Sequence, residues 1–127
     1  MHRRLACLIV PIGLMSAFAV HAASPVQGAF GNTVISTYPD GRHGELWLRP
    51  NGAYTSEGRR SDMSSGHWTV KGDQLCMKQS KPIPVFLSFC TPIPSAGMGQ
   101  EWSAKAVTGE PIKVKVVKGH VAQPSKS

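Results

Sequence analysis

Cys76 and Cys90 stand fourteen positions apart in a stretch, Gly66 to Cys90, that also holds Trp68 and the dipeptide Gly72-Asp73. Two thiols at that spacing could attack a substrate, hold a metal or pair with each other. A zinc site wants further ligands close by, usually histidines three to five residues apart. His43, His67 and His120 are each about 24 or more residues from the next, so no metal ligand is assigned. Serine is plentiful, but no G-x-S-x-G occurs to place one as a nucleophile. Asp40 and Asp73 fall in turns, where a carboxylate bonds the local backbone. No catalytic residue and no cofactor is expected; pairing is the chemistry left to the cysteines.

Compartment decides whether they pair. The chain begins MHRRLACLIVPIGLMSAFAVHA: a basic start at His2, Arg3 and Arg4, an apolar run from Leu5 to Val20, then the small-residue site Val20-His21-Ala22. That is the pattern of a secretory signal at 1–22, cleaved after Ala22. The apolar run falls short of the roughly 20 residues a membrane span needs, so no anchor is expected after cleavage. Loss of the signal removes Cys7 and leaves an even pair, Cys76 and Cys90, in an oxidising space, periplasmic or extracellular. Closing a loop of about 15 residues contributes on the order of 3 kcal/mol.

Of 127 residues, 105 remain after the signal, enough for one domain with one modest core, expected over 23–118 and followed by a disordered tail at 119–127. Twelve basic residues then face seven acidic ones, a formal charge of +5. Lys105, Lys113, Lys115, Lys118 and Lys126 crowd the C-terminal third against Glu110. No aromatic side chain interleaves with them, so a solvated face is favoured over a polyanion site and no specific nucleic-acid partner is expected.

Thirteen glycines and ten prolines punctuate short runs of Val, Ile, Thr, Trp and Tyr. This predicts an all-β domain, an antiparallel meander of about eight short strands closing as a small barrel or folding over as a sandwich. The strands are expected at 32–38, 44–49, 53–58, 66–71, 74–79, 85–91, 101–107 and 112–118. Pro50-Asn51-Gly52 suits a three-residue bulged hairpin, which sets Leu48 against Tyr54 and Leu46 against Ser56 on one face. Gly72-Asp73 suits a two-residue loop pairing Val70 with Leu75, Thr69 with Cys76 and Trp68 with Met77. Both cysteines then point away from the more apolar face of their strands, a tie outside the main core.

Two loops offer binding groups. Ser61-Asp62-Met63-Ser64-Ser65 follows Arg59-Arg60, and Gly97-Met98-Gly99-Gln100 follows Thr91-Pro92-Ile93-Pro94. Such loops are either plain polar connections or contact a ligand at a barrel mouth, with Arg59, Arg60, Asp62 and Met98 as the candidate contacts. Trp47, Tyr54 and Trp102 could stack on a ligand, but aromatic residues on strands of so small a domain are core more often.

The exported short strands, the N-G and G-D hairpins and the segment Trp68-Thr69-Val70-Lys71-Gly72-Asp73-Gln74-Leu75-Cys76 resemble small calycin-type, lipocalin-like β-barrels, and Gly66-His67-Trp68 matches their G-x-W. The same nine residues are similar to a Trp-Gly-Asp-Cys segment of periplasmic alkaline-metalloprotease inhibitors. The first resemblance implies a barrel that binds a small ligand or an envelope component. The second implies a protease partner met by the N-terminal segment Ala23-Ser24-Pro25-Val26. Non-catalytic binding is the expected function, with protease inhibition and hydrolysis as alternatives.

Overall fold

A computed structural model of the chain describes residues 11–13, 24–94 and 100–121. Within them a single 3-10 turn, Gln27–Ala29, precedes eight strands: β1 Thr33–Thr37, β2 His43–Leu48, β3 Ala53–Glu57, β4 Met63–Lys71, β5 Gln74–Lys81, β6 Phe89–Pro92, β7 Trp102–Lys105 and β8 Pro111–Val117. All pair antiparallel in one sheet of order β6-β5-β4-β3-β2-β1-β8-β7. The sheet curls into a nearly closed barrel compatible with a calycin-like fold. β6 and β7 end the order, so the seam lies between them.

The hairpin chemistry explains the register. Arg49 N–H donates to the Ala53 carbonyl at 2.9 Å and Gly52 N–H to the Arg49 carbonyl at 3.1 Å, closing the three-residue bulged loop. Leu48 therefore faces Tyr54, and Leu46 faces Ser56. The same pair of hydrogen bonds closes the hairpins at 38–42, 58–62 and 106–110. Between β4 and β5, Gly72 has φ +61°, a value a side chain would make costly, and the pairs Val70–Leu75, Thr69–Cys76 and Trp68–Met77 form as expected.

Period-2 alternation then sorts each strand into an inner and an outer set. In β8, Ile112 and Val114 are buried while Lys113 and Lys115 are exposed. Val34, Leu48, Tyr54 and Leu75 gather at one end of the interior. The chain entering β1 seals that end: Val26 is 1 % exposed and Ala29 fully buried, and the Phe30 ring lies 5.6 Å from that of Trp68.

Gly66 marks the sharpest bend. A bulge interrupts the β4–β5 ladder between Ser65 and Gly66, and a Cβ on Gly66 would collide with the Lys78 carbonyl. Only a glycine lets the two backbones approach so closely.

The disulfide joins directly opposed residues of β5 and β6, with Cα atoms 4.0 Å apart. Cys76 is buried yet stands apart from the interior cluster, as the face assignment required.

One strand differs from expectation. The run 85–91 enters the ladder only at Phe89, and 85–88 form an exposed loop. The reason lies in the bulge: beyond Gly66 the β5 strand turns away, and pairing with β6 ends at Met77–Phe89. Pro82 and Pro84 also lack the N–H a continuing ladder needs. The loop instead ties to Gln79, whose carbonyl accepts from Val85 N–H at 3.0 Å and whose side-chain amide donates to the Ile83 carbonyl at 3.0 Å.

Trp47, on the outer face, is buried too. Its indole N–H donates to Thr33 Oγ1 at 3.0 Å, and the His120 ring stacks on it at 4.4 Å. Thr33 Oγ1 also donates to the Gly119 carbonyl and accepts from Val121 N–H. Gly119 to Val121, the start of the stretch expected as a disordered tail, are thus docked on β1 and β2; 122–127 lie outside the described residues, as does most of the signal segment.

Candidate functional site: an open-ended barrel cavity

Successive connections of a meander alternate between its two ends. Residues 38–42, 58–62, 82–88 and 106–110 therefore share the end away from the Val26 plug. That end is open. A cavity of about 490 Å³ runs inward from it.

Depth along each strand sets the chemistry of the wall. Near the plug stand Leu48, Tyr54, Leu75 and Trp102, in the middle Leu46 and Met77, and toward the mouth Ser36, Ser56, Ser64 and Gln79. Ser56 and Ser64 face each other across β3 and β4 with their hydroxyls bonded. These hydroxyls stand beside apolar Leu87, Val107 and Ile112, so the wall is mostly apolar with a polar cluster on β1, β3 and β4, a surface matched to an amphipathic guest. Burial raises the pKa of Tyr54, and burial against the opposing Arg59 charge raises that of Tyr38, so both phenols stay neutral at ordinary pH.

An ion cluster stitches three mouth loops together. The Arg59 guanidinium takes both oxygens of Glu110, at 2.9 and 2.6 Å, reaches Asp40 at 3.4 Å and lies 4.3 Å from the centroid of the Tyr38 ring. Arg42 holds Asp40 from the other side at 2.7 Å. The Arg59 hydrogen bonds hold the Glu110 carboxyl below its usual range and push the guanidinium higher. Arg42 does the same to Asp40.

Of the four candidate contacts, Arg59, Arg60 and Asp62 are among the described residues. Arg59 is on the rim, but its charge is engaged. Arg60 is exposed beside it, and the Asp62 carboxylate folds over Gly58. Met98 lies outside the described residues, and its loop leaves β6 at the plugged end, where Ile93 N–H bonds the Asp73 carbonyl. The 58–62 connection is at the mouth, whereas Ile93 and Pro94, which lead into the other loop, follow β6 at the plugged end. Tyr38 and the β5–β6 loop were missed. The signal for the loop was present in Ile83-Pro84-Val85-Phe86-Leu87, but it reads equally as a core strand.

His67 is on the outer face of β4 and Ser64 on the inner, so the pair does not converge. Among the described residues, no three His, Cys, Asp or Glu side chains cluster as metal ligands would. Compared with protein-family models, curated proteins and solved structures, the chain matches none of them.

Proposed function

We propose that the protein is a non-catalytic binding protein that takes a small amphipathic ligand tail-first into the barrel. The observation that carries this reading is the cavity: about 490 Å³, mostly apolar, with the hydroxyls of Ser36, Ser56 and Ser64 toward the mouth. Ligand sites fall in the range of roughly 300–1,000 Å³ and combine apolar walls with a few oriented polar groups. The Cys76–Cys90 disulfide supports a periplasmic or extracellular setting, where an envelope component is the natural guest.

The inhibitor alternative asks the N-terminal segment to enter a protease cleft. Val26 is committed to the barrel interior instead, which favours ligand binding. Hydrolysis would need titratable groups converging in the cavity. The shifted groups at the mouth, Asp40, Glu110, Arg59 and Tyr38, all move away from neutrality, which favours a structural part for them.

A dansyl-labelled fatty acid tests the reading. Saturable binding is expected, lost in Leu46→Trp, which fills the cavity, and unchanged in the double variant Lys113→Gln/Lys115→Gln on the outer face. Absence of saturable binding, or full binding by Leu46→Trp, would overturn it.

A further inference from the structure

Among the described residues of the barrel, most exposed large apolar side chains lie at one end, Val121 beside β1 being the exception. Met63, Ile83, Val85, Phe86, Leu87 and Val107 are all exposed, and all lie at the mouth end. Ile83, Phe86 and Leu87 are 70 %, 88 % and 83 % exposed, nearly the accessibility of a free side chain. Three such residues within five positions exceed the scattered exposure normal for a soluble surface.

The loop that carries them stands at the mouth, where Val85 and Leu87 also line the cavity. Its base is tied by the two Gln79 hydrogen bonds and, one turn of the ladder away, by the disulfide. Pro82 and Pro84 restrict its backbone, so presenting the apolar tips costs little further entropy. A protruding tip, unlike a flat face, suits a surface that can part around it.

Charge identifies that surface. Lys81 opens the loop, Lys78 precedes it, and Lys105 stands two residues before Val107; all three are exposed. At the mouth end as a whole Arg42, Arg59, Arg60, Lys81 and Lys105 stand against Asp40, Glu57, Asp62 and Glu110, and of these acids Asp40 and Glu110 are bonded by Arg42 and Arg59. Apolar tips ringed by lysines are the composition of an interfacial membrane contact, in which the tips enter the acyl boundary and the ammonium groups meet lipid phosphates.

We propose that residues 82–88 seat the open end of the barrel on a lipid bilayer bearing anionic headgroups, with Ile83, Phe86 and Leu87 buried at the acyl boundary and Lys81 and Lys105 at the phosphates. The cavity mouth then faces the membrane. The docking does not depend on any guest in the cavity, so it stands or falls separately from the ligand reading.

The chain from Ala23 onward, which holds all eight strands and the disulfide, is mixed with vesicles of phosphatidylcholine alone or with added phosphatidylglycerol. Phe86→Trp reports on the loop itself. Its emission, taken as the difference from the parent, is expected to shift to the blue with phosphatidylglycerol vesicles and to be quenched by brominated acyl chains. Phe86→Ser/Leu87→Ser should weaken flotation about tenfold or more, and Lys81→Gln or Lys105→Gln about fivefold each. These side chains are exposed, and an unchanged β-sheet circular dichroism verifies the fold of each variant. No shift for Phe86→Trp, or flotation of the double serine variant equal to the parent, overturns the proposal. So does a lipid-free dimer abolished by the double serine variant, which would assign the patch to a second copy.

Discussion

The two ends of the barrel are built on opposite principles. At the plugged end the chain folds inward: Val26 and Ala29 fill the interior, and the docked segment at Gly119 to Val121 covers Trp47 outside. At the mouth apolar side chains stand in water beside a cavity, and an ion cluster joins three loops. Ligand sites draw on the less packed parts of a fold, and the mouth is the end proposed to meet a partner.

Truncation at the two ends should expose the contrast most strongly. Val26→Ala is expected to lower stability by about 2 kcal/mol, because two buried methyl groups are lost and the barrel end cannot collapse around the gap. Phe86→Ser removes a larger side chain yet should stay within about 0.5 kcal/mol, since that side chain is itself exposed. Urea denaturation of both variants checks this; equal losses would mean that the mouth is packed as the plug is.

A smaller effect of opposite sign is expected at the mouth. Four hairpins share one hydrogen-bond pattern, and Gly41, Gly52 and Gly109 take its left-handed position, whereas in the 58–62 loop Ser61 does so at φ 64°. Ser61→Gly should stabilise the fold by roughly 0.5–1 kcal/mol, the relief of left-handed strain less the entropy glycine adds to the unfolded chain. A raised urea midpoint checks it, and no gain would show that the loop is held by its neighbours rather than by its own turn.

The ion cluster should give the smallest effect, visible through pH. Arg59 depresses the Glu110 pKa in the folded state, so the stabilisation is full above the unfolded carboxylate value of about 4.3 and fades as pH falls through the lower folded value. Arg59→Met should therefore be less stable than the parent near neutrality, with the difference shrinking in acid. Arg42 still lowers the Asp40 pKa, so part of the acid dependence should survive in the variant. Urea midpoints measured from about pH 7 to about pH 3 check the convergence. A constant gap would place the role of Arg59 in its contact with Tyr38 instead.

What the sequence determined by itself was local. Pro50-Asn51-Gly52 and Gly72-Asp73 set the registers of β2–β3 and β4–β5, because each turn type allows one pairing and the apolar faces agree with it. Alternation of Ile112, Lys113, Val114 and Lys115 assigned the faces of β8. An even pair of thiols after an expected export signal pointed to Cys76 and Cys90, now directly opposed across two strands.

Tertiary structure decided what depends on closure. The β1–β8 pairing joins residues some eighty positions apart, and no local pattern encodes it. It brings the Glu110 loop beside the Asp40 and Arg59 loops. It also decided the fate of 85–88, where alternation favoured a strand. A strand needs a partner, and the bulge at Gly66 turns β5 away before one can form, leaving the apolar run exposed at the mouth.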